Sequence, residues 1–137
     1  MITRANPDVG YLDPAAFETL GFSQVVRAGD TVYLSGIAPF TGGPPEFTVV
    51  GTGNMDEQVA FVLDVLERCL DSERMTLDNL VAVTVYATDM PALMEAAPAL
   101  AKRFSAAPPT STWVGTTGLA HPDQLVEITA IAVGQAA

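Results

Sequence analysis

The run of residues 80–87 is apolar almost throughout, and it constrains the fold more than any other feature of the chain. Such a run is typical of a central β-strand that is covered on both faces. Strand patterns follow it at 110–114 and 125–133, while 23–27 and 31–36 flank a glycine-bearing turn like the two arms of a hairpin. The chain therefore predicts a sheet with strands from both halves of the sequence.

Two helical patterns alternate with these strands. From Val59 to Leu70 apolar side chains recur three and four residues apart, and Asn54 stands three residues before Glu57, which is capping-box spacing. Asp89 can cap a second helix, whose apolar positions recur up to Phe104. Strands outnumber helices, so we expect an α+β fold with two helices on one face of a mixed sheet.

The remaining segments are short or irregular. Residues 47–50 predict a short strand after a proline- and glycine-rich loop, and residues 1–20 are punctuated by Pro and Gly with little periodicity. We interpret residues 1–20 as an N-terminal surface arm. At 137 residues, without repeats or linkers, the chain is expected to form a single domain over residues 1–137.

Composition narrows the possible partners. The chain has 6 basic and 16 acidic residues, and this charge balance would repel the phosphates of nucleic acids. Charged residues make up only 16%, so part of an apolar surface is expected to be covered by other subunits. The single cysteine, Cys69, cannot form an internal disulfide, and the sequence shows neither a signal-peptide pattern nor a long apolar span. We therefore expect a cytoplasmic protein that binds neither nucleic acid nor membranes.

Glu127 is the first candidate for chemistry, because it is the one carboxylate in the otherwise apolar strand at 125–133. An ionised carboxylate is costly to bury, so it reaches a cleft or finds buried partners. A structural ion pair or a charge at a sheet edge is the alternative interpretation. Without a His/Cys cluster or a phosphate-binding glycine loop, the sequence predicts neither a metal nor a cofactor.

Four ordered segments resemble the Rid/YjgF family of reactive-intermediate deaminases, which is also labelled endoribonuclease L-PSP. They are FSQVVRAGDTVYLSG at 22–36, VTVYATDM at 83–90, PPTST at 108–112 and VEITAIA at 126–132. The resemblance implies a chorismate-mutase-like fold, a homotrimer, and small-molecule sites in the clefts between subunits. Family deaminases hydrolyse enamines and imines to ketones and ammonia, and the net charge of this chain disfavours ribonuclease activity.

The resemblance also assigns site positions, and several of them depart from the family pattern. Glu127 matches the glutamate that orients or activates water, and Ser35 and Gly36 match the turn that holds the substrate. Thr110 stands where the family pattern has its carboxylate-binding arginine, so the resemblance implies an atypical member. The other substrate-binding positions are occupied by residues that differ from those of better-known members, namely Phe22, Ala97 and Thr112.

Three functional hypotheses remain open from the sequence. The first is an imine or enamine deaminase, or a related hydrolase, with a non-standard substrate and with Glu127 handling water or protons. The second is a non-catalytic small-molecule-binding trimer, and the third is a different reaction in a specialised pathway. The segment 121–123 is expected to form a turn that can border the cleft, and Trp113 is expected in the core or at an interface.

Overall fold

The computed structural model describes residues 1–134 and places them in eight strands and three α-helices. The strands are β1 (Ile2–Ala5), β2 (Val25–Ala28), β3 (Thr31–Ile37), β4 (Phe40–Gly43), β5 (Glu46–Val49), β6 (Leu80–Ala87), β7 (Thr110–Gly115) and β8 (Val126–Val133). The helices are α1 (Pro14–Leu20), α2 (Met55–Ser72) and α3 (Met90–Phe104). The predicted α+β class is confirmed. No helix within residues 1–134 combines the length and the apolar character needed to cross a bilayer.

Six of the strands form one mixed sheet in the order β1-β2-β3-β8-β6-β7, and β4 and β5 form a separate hairpin. β7 is parallel to β6, and the other neighbours in the large sheet are antiparallel. A parallel pair needs a crossover connection, which α3 provides between β6 and β7. The mixed sheet agrees with the prediction.

The core lies between α2, α3 and one face of the large sheet. Alternate residues of β8 are buried on this face, from Val126 to Ala132, and α2 packs against β8, β3 and α3. The Asn54 side chain accepts the Glu57 N–H at 3.1 Å, which fixes the start of α2. Asp89 accepts the Ala92 N–H at 3.0 Å at the start of α3. Both predicted helix caps are confirmed.

The opposite face of the sheet is open in the single chain, which corrects the expectation that β6 is covered on both sides. Ala82, Thr84 and Tyr86 of β6 point to this open face and are only partly buried. The strand register places Arg4 and Glu127 there as well. They are the only charged side chains that the paired strands of residues 1–134 bring to this face.

The N-terminal segment is more ordered than the arm that we expected. β1 adds an edge strand to the sheet beside β2, and α1 packs with Ala16 and Phe17 buried. Gly21 ends α1 in the left-handed region at φ 76°, which suits glycine. α1 has only 7 residues, too few to show a clear helical period in the sequence.

Candidate functional site

Glu127 lies near the start of β8 on the open face, beside an irregularity in β3. The register between β3 and β8 shifts between Leu34 and Ile37, and Gly36 lies within this bulge. A Cβ atom on Gly36 would lie 2.9 Å from Cδ of Glu127, which is closer than real side chains approach. The carboxylate therefore packs directly against the backbone of β3, and glycine at position 36 makes room for it.

A buried amide side chain orients this carboxylate. Gln124 is only 1% exposed, and its Nε2 donates to Oε1 of Glu127 at 3.1 Å and to the carbonyl of Val126 at 3.1 Å. Its Oε1 accepts the N–H of Ala120 at 3.0 Å. Because each polar atom of the Gln124 amide is bonded, the direction of its bond to Glu127 is fixed.

A second buried amide holds the loop that leads into β8. Gln58 of α2 is fully buried, and its Nε2 donates to the carbonyl of Asp123 at 2.9 Å. Its Oε1 accepts the N–H of Leu125 at 2.7 Å. Through Gln58, α2 therefore holds the backbone on both sides of Gln124. This fixes the position of Gln124 beside Glu127.

The open side of Glu127 faces a cavity of about 360 Å³. Its walls come from the N-terminal segment, β3, the β4–β5 hairpin and the loop before β8. They are formed by Tyr11, Leu12, Leu20, Phe22, Gly36, Ala38, Phe40, Phe47, Ala120, His121 and Glu127. Most of these residues are apolar, Glu127 is the one carboxylate, and no Lys or Arg of residues 1–134 lines the cavity. The arrangement suits a small ligand with a large apolar part.

Tyr11 brings a hydroxyl group to the same cavity. Its Oη accepts the N–H of Ala38 at 2.8 Å, and its ring packs at a tilt against Phe61 with 6.5 Å between the ring centroids. Burial raises the pKa of the Tyr11 hydroxyl well above its ordinary value, the Ala38 hydrogen bond opposes this rise, and the charge of Glu127 adds to it. Tyr11 therefore serves the cavity as a neutral hydroxyl.

His121 lies at the rim of the cavity. Its Nδ1 accepts the N–H of Asp123 at 3.0 Å, and its ring meets Phe40 edge-on at 5.9 Å. In the neutral ring, the hydrogen is therefore on Nε2. The Nε2–H can donate a hydrogen bond to a ligand, in addition to the hydroxyl of Tyr11. The predicted turn at 121–123 is thus part of the cavity wall.

Three of the sequence-predicted site residues meet at this cavity, namely Phe22, Gly36 and Glu127. Ser35 is adjacent to it in the chain, but its hydroxyl donates to the carbonyl of Ser23 at 2.6 Å. The side chain of Ser35 therefore holds the turn together, and a ligand would meet the Gly36 backbone in its place.

The other three predicted residues lie away from Glu127 in the single chain. Thr110 and Thr112 lie on the open face of β7, separated from β8 by β6, and the Thr110 hydroxyl donates to the carbonyl of Val81 at 3.0 Å. Ala97 of α3 lines a different, apolar groove of about 350 Å³ together with Trp113. Trp113 is partly buried there, and its indole N–H donates to Oγ of Ser111 at 3.1 Å.

Comparison with known proteins places this architecture in a family. The sequence model described as Endoribonuclease L-PSP matches residues 14–134, which include every element from α1 to β8. The chain belongs to the Rid/YjgF family. This family membership agrees with the resemblance seen in the sequence.

Curated Rid/YjgF relatives share about a third of their residues with the chain. A RutC family protein of Saccharolobus solfataricus is 34% identical over 111 residues, covering 81% of this chain and 85% of the relative. The mitochondrial protein MMF1 of Saccharomyces cerevisiae is 31% identical over 118 residues, covering 86% of this chain and 77% of MMF1.

Solved structures of the Rid/YjgF family have the same fold. The crystal structure of yeast Mmf1 superimposes with a TM-score of 0.82 at 27% identity, covering 98% of this chain and 100% of that one. Rv2704 of Mycobacterium tuberculosis, a member of the YjgF/YER057c/UK114 family, gives a TM-score of 0.77 at 26% identity with the same coverage.

Three residues of the site were missed at the sequence level. Tyr11 lies in the segment that was expected to be a surface arm. Gln58 lies among the apolar positions of α2 and belongs to no recognisable sequence motif. Gln124 lies in a loop whose path is fixed by long-range hydrogen bonds to Gln58, whereas His121 belongs to the segment 121–123 that was expected to border the cleft. A buried glutamine among apolar helix positions is a signal that could have identified Gln58, since buried amides need partners.

Proposed function

We propose that this Rid/YjgF-family chain hydrolyses small imines, and enamines after their tautomerisation to imines, to a carbonyl compound and ammonia. The observation that carries the proposal is the placement of Glu127. It is the single carboxylate that residues 1–134 bring to an apolar cavity, packed against Gly36 and oriented by Gln124. A carboxylate held in this way can accept and return protons beside a bound ligand.

The chemistry requires one proton-transferring group. Water oxygen bonds to the carbon of the protonated imine, R₂C=NH₂⁺, the C=N π pair moves to nitrogen, and Glu127 takes the proton that water releases. Glu127 then returns this proton to the nitrogen of the carbinolamine. The C–N bond breaks with its electron pair on ammonia while the hydroxyl oxygen forms the C=O bond. The hydroxyl proton passes to Glu127 and then to ammonia, so R₂C=NH₂⁺ and H₂O give R₂C=O and NH₄⁺.

The test of this function is the decay of a pre-formed N–H ketimine, such as acetophenone imine diluted from dry solvent. We expect the protein to accelerate the loss of the C=N absorbance, with release of one ammonia per ketone. Decay at the rate of buffer alone, under conditions in which the protein is folded, would rule the function out.

A cytoplasmic site for this reaction is part of the proposal, since the single cysteine, Cys69, is buried and free.

The proposal includes a homotrimer in which Thr110, Thr112 and Ala97 of one copy complete the cavity of the next. Its support is the open sheet face, on which Tyr33 is 48% and Val114 is 37% exposed, while the paired strands within residues 1–134 bring only two charged side chains to it, Arg4 and Glu127. Such a face is costly to leave in water, and contact between copies would cover it.

Light scattering is expected to give three times the 14.3 kDa chain mass at micromolar concentration. Tyr33→Asp should shift the mass towards the monomer, because it places a charge in the covered face. Ala60→Asp is the control, since Ala60 is exposed on α2, which covers the other face of the sheet. A monomeric wild-type protein would contradict the assembly and the shared cavity.

Imines that carry a carboxylate, such as 2-aminoacrylate after tautomerisation, are expected to be poor substrates. A lost bidentate ion pair costs about 3–5 kcal/mol, or roughly 10²- to 10⁴-fold in rate, and Thr110 supplies only a neutral hydroxyl. Thr110→Arg should restore part of this rate, whereas Ala60→Arg, on the exposed side of α2, should not. The assay generates the imine with an amino-acid oxidase and captures it with semicarbazide. Strong competition by the wild-type protein would show the arginine to be dispensable.

A further inference from the structure

The cavity contains a hydrogen-bond donor that the proposed hydrolysis leaves without a role. Tyr11 Oη accepts the N–H of Ala38, and this bond fixes the phenol group against β3. The hydrogen bonds formed within residues 1–134 use the Tyr11 oxygen only as an acceptor. The hydroxyl hydrogen is therefore left for a ligand in the cavity, on whose wall both Tyr11 and Glu127 lie.

The charge of the cavity restricts the ligand that can meet this donor. Glu127 gives the wall one negative charge, and within residues 1–134 no cation of the wall opposes it. A ligand carboxylate would meet like charge among apolar side chains such as Leu20, Phe22 and Phe47. An uncharged carbonyl group has no such penalty, because it needs only a donor for its oxygen.

We propose that Tyr11 binds the oxygen that water adds to the imine carbon and that becomes the ketone oxygen, and that the cavity selects aryl or alkyl imines and ketones that lack a carboxylate. This proposal rests on the hydrolysis proposed for Glu127 and names its substrate class. As water oxygen becomes the carbonyl oxygen, the Tyr11 O–H donates to it while Glu127 handles the protons. The Nε2–H of His121 offers a second donor at the rim.

Binding tests this proposal separately from turnover. Acetophenone and phenylglyoxylate are matched probes, since they differ only in a methyl group against a carboxylate beside the same ketone. Titration calorimetry on the wild-type protein is expected to show acetophenone binding at least about tenfold more tightly. Equal binding, or tighter binding of phenylglyoxylate, would overturn the substrate class even if the protein hydrolyses imines.

The Tyr11→Phe variant tests the donor itself. Loss of one hydrogen bond to an uncharged ligand should weaken acetophenone binding about 5- to 10-fold. Ser72→Ala is the control, because it removes a hydroxyl at the end of α2 that donates to the carbonyl of Cys69 and does not line the cavity. Unchanged affinity in a folded Tyr11→Phe variant would remove Tyr11 from the site.

Infrared spectroscopy keeps the proposal testable if Tyr11→Phe fails to fold, since the variant also leaves the Ala38 N–H unpaired. Carbonyl-labelled ¹³C acetophenone bound to the wild-type protein should show its C=O stretch at a lower frequency than in a hydrocarbon solvent. In a folded Tyr11→Phe variant this shift should be largely lost. A bound ketone with the hydrocarbon frequency in the wild-type protein would overturn the donor role. Failure of ketimine turnover with both binding results intact would instead count against the proposed hydrolysis alone.

Discussion

Replacement of Glu127 by Gln is expected to lower kcat for acetophenone imine by about 10²- to 10⁴-fold. The amide has the shape of the carboxylate and can still accept the hydrogen bond from Gln124, which is 3.1 Å long in the native site. It cannot take a proton from water, however, and proton transfer is the one role that the proposed mechanism gives to Glu127. The measurement is steady-state ketimine decay, accompanied by light scattering and thermal unfolding of the variant.

The control for this change is Glu95→Gln, because Glu95 is an exposed residue of α3 away from the cavity. It removes the same charge and should leave kcat within about twofold of the wild-type value, in keeping with the small effects of surface substitutions. Turnover by Glu127→Gln at the native rate would remove Glu127 from the mechanism. An unfolded variant would show instead that the carboxylate is needed for folding, contrary to the account of the site.

Gly36→Ala is expected to have the second-largest effect. The new Cβ would lie 2.9 Å from Cδ and 3.2 Å from Cγ of Glu127, so the carboxylate must move away from β3. A displacement of about 1 Å can cost about 10²-fold in rate, and crowding of a packed site costs roughly 1–3 kcal/mol of stability. We therefore expect about a 10²-fold fall in kcat with a moderate loss in the free energy of unfolding.

Gly118→Ala is the matched control for Gly36→Ala. A Cβ on Gly118 would meet no atom within 4 Å, so the same methyl group should be accepted there without a change in kcat. Native activity in Gly36→Ala would mean that Glu127 tolerates displacement. The close packing of the two residues would then have no functional meaning.

The fold could be predicted to the extent that its elements carry their own periodicity. The apolar run of β6, the helical spacing in α2 and the caps Asn54 and Asp89 are local signals, and each appears in the structure. β1 and β4 have only 4 residues each; β1 pairs with β2, which follows α1 in the chain, and β4 pairs with the neighbouring β5 and packs against α1. Such short elements are stabilised by tertiary contacts, so the sequence pattern did not reveal them.

The candidate site was predictable only in part, for a related reason. A carboxylate in an apolar strand is conspicuous, so Glu127 stood out, and the cavity also contains the predicted Phe22 and Gly36. Tyr11 and Gln124 reach the site through long-range folding and through a hydrogen-bonded loop, and neither leaves a local pattern. The predicted positions Thr110, Thr112 and Ala97 lie away from Glu127 within one copy, and only the proposed trimer would bring them to the cavity.

The central proposal is that Glu127 transfers protons in the hydrolysis of imines that lack a carboxylate, in a cavity whose described wall holds no cation. Its most direct test is the ratio of kcat/KM for acetophenone imine to that for the imine of phenylglyoxylate, measured on the wild-type protein by ammonia release. The account predicts a ratio above about 10², because the second substrate brings a carboxylate to an apolar, negatively charged wall without the guanidinium that would bind it. A ratio of one or less would contradict it.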